Sequence, residues 1–194
     1  ISGDARDLEI AQEMIAKLDE YHGMATRLFT GDECLAGKRP TQGTELCAVV
    51  EYAYSLEILL AITGEPRYAD RLERIIYNGL PATFSADMWS HQYDQQANQI
   101  ACTIQQDPIW TTNGPASNIF GVDPNYGCCT ANLSQGWSKY AAHLWMGTPD
   151  DGLAAVAYAP SRVTKVIQGV PVTVRLETGY PFREALHFSV DPAR

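Results

Sequence analysis

Helical spacing governs the first part of the chain, and two-residue alternation governs its end. Leu8, Ala11, Ile15, Leu18 and His22 recur at helical intervals, with Asp4 placed as an N-cap and Gly23 as a stop. A second apolar series, Leu46, Val49, Val50, Ala53, Leu56, Leu60 and Ala61, predicts a helix that begins near Glu45 or Leu46 and ends at Gly64. Pro66 suits the first turn of a third helix, which Tyr68, Leu72, Ile75 and Ile76 carry to about Gly79. A fourth fits Ala131 to Met146. Between them, Phe29 to Thr44 reads as a loop broken by Gly31, Gly37, Pro40 and Gly43. Pro81 to Gly127 is irregular and rich in Gln, Asn, Pro and aromatic residues. Loops of that length inside a compact domain are usually functional.

After Gly152 the period falls to two. Leu153 to Tyr158, Val170 to Glu177 and Ala185 to Val190 read as strands. Helices first and strands afterwards predict two domains, the second one cut short. Paired antiparallel helices fit a helical toroid.

Composition narrows the function. The 194 residues carry 14 basic and 23 acidic side chains, a net charge of −9. That balance argues against nucleic acid, since phosphate binding needs a Lys/Arg footprint. No apolar run is expected to approach the roughly 18 residues of a membrane span. The chain opens on Ile1 and reads as a piece of something longer.

Five cysteines, Cys34, Cys47, Cys102, Cys128 and Cys129, are an odd number in a chain too long to need disulfide staples. An odd count with an adjacent pair points to thiol or metal chemistry, and free thiols lean toward a reducing, cytoplasmic setting. Glu45 and Cys47 point to one side only if they lie at or just before the helix start, on extended backbone. There, with Cys128 and Cys129, they would offer zinc three sulfurs and an oxygen. Two other readings stand beside this one. Cys47 and the pair fit buried core cysteines equally well, and a bound zinc could be purely structural. Glu33, in a Gly-rich loop, is a candidate general acid/base, against the plainer reading of a solvated carboxylate. Cys34 reads as packing. Glu51 and Glu57 read as solvent-facing or paired with Arg and Lys. His91, Tyr93 and Asp94 could line a polar pocket, with His91 equally suited to the surface.

The runs Gly31-Asp32-Glu33, Thr41 to Tyr52, Tyr77-Asn78-Gly79-Leu80-Pro81 and Gly127-Cys128-Cys129-Thr130-Ala131-Asn132 together resemble glycoside hydrolase family 127, the β-L-arabinofuranosidase-like (DUF1680) group. The resemblance runs collinearly over nearly the whole chain. It implies a mainly α fold with C-terminal β structure: part of an (α/α)6 barrel over residues 1–149, then the first strands of a β-sandwich over 150–194. It further implies Zn2+ held by Glu45, Cys47, Cys128 and Cys129, with Cys128 the nucleophile and Glu33 the acid/base. Tyr93 would contact a sugar of an oligo- or polysaccharide substrate. A further chain segment or subunit would complete the barrel. Gly-Cys-Cys-Thr stands here where better-studied members resemble Cys-x-Cys-Cys-Pro, and Gly-Asp-Glu replaces their Gly-Glu. The implied activity is retaining hydrolysis of L-arabinofuranosyl groups at non-reducing ends. The alternative is a non-catalytic helical domain that binds carbohydrate or uses zinc only as a brace.

Overall fold

A computed structural model describes residues 2–104, 106–121 and 127–192. It divides into two compact units, residues 1–53 with 74–136, and residues 54–73 with 137–194.

In the first unit, α1 spans Ala5–His22, and the Asp4 carboxylate caps it by accepting from the Arg6 amide at 2.9 Å. Leu8, Ala11, Ile15, Leu18 and His22 are its half-buried stripe, yet no residue of α1 is fully buried. The expected loop contains short strands: β1 (Gly31–Asp32), β2 (Cys34–Leu35) and β3 (Thr44–Glu45). With β4 (Asp94–Gln95) they form a four-stranded sheet in the order β2-β1-β3-β4. Helix α2 (Leu46–Thr63) starts directly from β3, and Leu46, Val49 and Val50 in its first turns are buried with Leu28, Ile75, Ile76 and Leu80. Helix α3 is shorter than the spacing predicts, Pro66–Arg74, and the chain continues through a π-helical turn over Ile75–Gly79. That turn buries Ile75 and Ile76 side by side while Gly79 lies against Leu28.

Helix α4 spans Gly127–Ala142 rather than Ala131 to Met146. Its earlier start brings Cys128 and Cys129 into the first turn. Its Gly136 faces Leu80 so closely that a Cβ there would lie 2.8 Å from the leucine Cδ2, so only glycine fits without repacking. The irregular stretch after Pro81 is tied down by amide side chains in place of a ladder. Gln92 donates to the Asn118 carbonyl (2.6 Å), Gln95 to Gly79 (2.7 Å), Gln96 to Pro40 (3.1 Å) and Asn118 to Asp94 (3.0 Å).

The second unit holds the ends of α2 and α4, helix α3, and the β elements. Strands β5 (Trp145–Gly147) and β6 (Leu153–Ala155) pair antiparallel, which is why Trp145 and Met146 leave the helix. Strands β7 (Ser161–Ile167), β8 (Val170–Thr178) and β9 (Leu186–Pro192) form an antiparallel sheet. Strand β7 adds to the expected set. It joins β8 through Gln168-Gly169, both at positive φ, as a two-residue hairpin of the primed class requires. Helices followed by antiparallel strands are the expected class, a partial helical barrel running into β structure.

Two further sequence expectations need correction here. Glu57 is neither solvent-facing nor paired with Arg or Lys: it is 1% exposed and lies 2.6 Å from His143 Nδ1. Helix α2, at 18 residues and mean hydropathy 1.6, is long and apolar enough to cross a membrane, although no such stretch was expected. Half of it is buried within the protein, and its span includes Glu51 and Glu57, so it reads as a core helix.

Candidate active site

The backbone switch from β3 to α2 positions the first half-site. Glu45 is the last extended residue and Cys47 lies in the first helical turn, so both side chains point to one side. The Leu46 amide between them donates to the Tyr93 carbonyl at 2.8 Å, which pins this junction to the segment entering β4. The second half-site is the first turn of α4. Cys47 Sγ lies 3.4 Å from Cys129 Sγ, and Cys129 Sγ lies 3.9 Å from Glu45 Oε1. The donor atoms of Glu45, Cys47, Cys128 and Cys129 all fall within 4.8 Å of one another. Cys129 is buried in a cluster with Leu46 and Tyr93, against which Cys47 and Leu133 pack.

These donors fit a zinc ion. Tetrahedral Zn–S bonds of about 2.3 Å place sulfurs roughly 3.7 Å apart, close to the 3.4 Å between Cys47 and Cys129. Burial pushes the Cys47 thiol up to about 12, and the neighbouring Glu45 carboxylate adds to the shift. Burial also pushes the Cys129 thiol up, with Cys47 contributing. Buried thiols beside a carboxylate resist ionisation until a cation offsets the cost.

Glu33 stands at the rim. It is exposed at the apex of the β1–β2 hairpin, with φ at +68°. Its amide donates to Glu45 Oε2 at 3.3 Å, and its Oε1 accepts from the Tyr93 hydroxyl at 3.4 Å. The Tyr93 phenol is pushed up first by burial, then by the carboxylates of Glu45, Asp94, Glu33 and Asp32, so it remains a neutral donor. Burial and the adjacent Glu33 raise Asp32 as well. Asp94 is fully buried and pushed up to about 8, by burial first and then by Asp32 and Glu45.

Six of the residues singled out from the sequence therefore lie in one locality: Glu33 joins the four clustered donors through Glu45, and Tyr93 joins through Glu33. His91 is buried, not superficial, and its Nε2 lies 3.0 Å from Thr130 Oγ1, two residues beyond Cys128. Cys34 is exposed and not packed. Asn113, which holds Asp94, escaped the sequence reading because nothing local distinguishes it within a stretch rich in amides.

The family model for the β-L-arabinofuranosidase GH127 catalytic domain matches residues 22–142. Among solved structures, a GH127 β-L-arabinofuranosidase from Geobacillus stearothermophilus T6 superposes with a TM-score of 0.72 at 19% identity, covering 90% of this chain and 28% of its own. A structure described as a glycoside hydrolase gives 0.77 at 15% identity, covering 98% of this chain and 34% of its own. A GH127 β-arabinofuranosidase gives 0.64 at 18% identity, with 88% and 25% covered. The chain thus spans between a quarter and about a third of the length of these structures. No curated protein matches the sequence.

Proposed function

The chain belongs to glycoside hydrolase family 127, and from that premise we propose that it carries the machinery of a zinc-dependent retaining hydrolase releasing non-reducing-end L-arabinofuranosyl groups. The observation that carries this reading is the unequal burial of the cysteine pair: Cys129 is wholly buried, whereas Cys128 is exposed. A zinc that only braces helices has its donors enclosed, while a catalytic one keeps an open side.

In the proposed reaction Cys128 Sγ attacks the anomeric carbon as Glu33 gives its proton to the departing glycosidic oxygen. The C–O bond breaks and a C–S bond forms. Glu33, now a carboxylate, takes a proton from the water that attacks the same carbon and returns the thiolate. Two inversions give net retention. A thiol of ordinary pKa, about 8.5, is mostly protonated at neutral pH, and zinc bound by Glu45, Cys47, Cys128 and Cys129 would supply the thiolate and ease its departure. Tyr93 would orient the Glu33 carboxyl through its hydroxyl and contact the sugar. On this reading residues 1–149 belong to the catalytic barrel and 150–194 open a β-sandwich. The incompletely covered stripe of α1 suits a further chain segment or subunit.

The test is labelling with an L-arabinofuranose-configured electrophile, followed by peptide mapping. A single adduct on Cys128 that free arabinofuranoside suppresses is expected. Labelling confined to the other exposed thiols, Cys34 and Cys102, overturns the reading.

A further inference from the structure

We propose that His22 is a positioning residue that seats the Glu33 hairpin; the inference rests on the acid/base reading of Glu33 above. Glu33 is exposed, and both residues of β2 are exposed, so apolar packing does not hold the apex of this hairpin. Hydrogen bonds do so, two long ones at the apex to Glu45 and Tyr93 and a shorter set at the base. On one arm, the Gly31 amide donates to the Gly43 carbonyl at 3.0 Å, and Gly31 is in register with Thr44, next to Glu45. On the other arm, beyond β2, the anchor is Gly37, whose φ of +81° a side chain would strain.

The Gly37 amide donates to His22 Nδ1 at 2.9 Å. Thr30 closes the same corner: its amide donates to the His22 carbonyl at 2.9 Å, and its hydroxyl donates to the Gly37 carbonyl. His22 is the last residue of α1, so a rigid imidazole projects from the helix end into the base of the catalytic hairpin. A ring nitrogen that accepts this bond carries no proton, which places the ring hydrogen on Nε2. Three residues separate the clamped Gly37 from Glu33. Losing the His22 bond leaves Gly37 held through the Thr30 hydroxyl and loosens one arm of a two-residue ladder, so the apex drifts, its carboxyl from the Tyr93 hydroxyl and its amide from the Glu45 carboxylate.

The experiment compares His22→Leu, which removes the acceptor, with His22→Asn, whose Oδ1 takes the place of Nδ1. Each holoenzyme is assayed on an alkyl β-L-arabinofuranoside and on a nitrophenyl one, whose leaving group needs little protonation. Amide exchange at Gly37 is followed by mass spectrometry. His22→Leu should lower kcat/KM on the alkyl substrate by about 10²-fold, the scale of a misplaced catalytic group, and lose far less on the nitrophenyl substrate. Gly37 exchange should quicken, and His22→Asn should restore both. Equal losses on the two substrates, or unchanged Gly37 exchange, overturn the proposal. Glu33→Gln run alongside separates the two ideas. If it shows no leaving-group dependence, the reading of Glu33 fails; if it does and His22→Leu does not, only the role of His22 falls. Should the leucine variant not fold, His22→Gln, with its acceptor one methylene further out, carries the same comparison.

Discussion

Asp94 Oδ2 accepts from the Asn113 amide at 2.6 Å, while Asp94 Oδ1 and Asn113 Oδ1 lie buried with no hydrogen-bond partner among the described residues. A proton on Asp94 would turn the acid into a donor, the kind of group that the unpartnered Asn113 Oδ1 accepts. Gly43 packs against the pair so tightly that a Cβ would lie 2.5 Å from the Asn113 nitrogen and 2.9 Å from Asp94 Cβ.

The pH dependence of stability follows. The folded value, about 8, lies above the ordinary carboxylate range of about 3.9, so the folded state holds a proton that the unfolded chain releases. The contribution is complete below about pH 4 and declines as pH rises toward 8. Urea midpoints should therefore fall across that window, and Asp94→Asn, which mimics the protonated acid, should flatten the decline. Asp94→Ala should cost about 1–3 kcal/mol at acid pH by stranding Asn113. A wild-type midpoint that rises from pH 5 to 8 would show that Asp94 is ionised in the fold.

Elemental analysis of protein purified without added metal should find one zinc per chain. Cys129→Ser replaces a soft thiolate with a poor oxygen donor and should weaken retention by at least the roughly 10–100-fold typical of lesser disturbances around metal sites. Stripped of metal and treated with peroxide, two thiols give a disulfide, with two protons and two electrons passing to the oxidant to form water. Cys47 and Cys129, 3.4 Å apart, should be the pair that joins, in preference to the neighbours Cys128 and Cys129 on the α4 turn. Peptide mapping decides it.

Glu33→Gln keeps size and hydrogen bonding but loses the acidic proton. With an unactivated leaving group the first step should slow by roughly 10²–10⁴-fold. With an activated aryl arabinofuranoside that step should survive, and external azide, which needs no base, should restore turnover. Cys128→Ala should show no such rescue of the retaining path. Equal losses on both substrates without an azide effect would remove Glu33 from the acid/base role and make Asp32 the carboxylate to test.

His143 is the partner that makes the burial of Glu57 tolerable. Burial raises the Glu57 carboxyl, while His143 and then Lys139 oppose that shift. His143→Ala strands the carboxyl and should cost about 3–5 kcal/mol at neutral pH. Adding Glu57→Leu should recover most of that loss, as read from denaturant midpoints. A single-variant loss within experimental scatter would mean the pair contributes nothing.

Local signals were enough for much of this protein. The Asp4 cap, the Gly64 stop, the start of α2 at Leu46 and the alternation of β8 depend on residues a few positions apart, where backbone preference and side-chain period act directly. The donor types of Glu45, Cys47, Cys128 and Cys129, and the need for Glu45 and Cys47 to lie at or just before a helix start, were legible for the same reason, although Cys47 falls within the first helical turn. What only the tertiary structure decided is which groups meet. Helix α4 begins at Gly127 and ends at Ala142, because Trp145 and Met146 gain more by pairing with Ala155 and Ala154 than by extending the helix. Glu57 is buried because His143 lies opposite, although a carboxylate on a helix defaults to water. The Gln- and Asn-rich stretch carries no period, since its order comes from amides reaching distant carbonyls. Asp94 finds Asn113 and His22 finds Gly37 across 19 and 15 residues of chain, separations that no local pattern encodes.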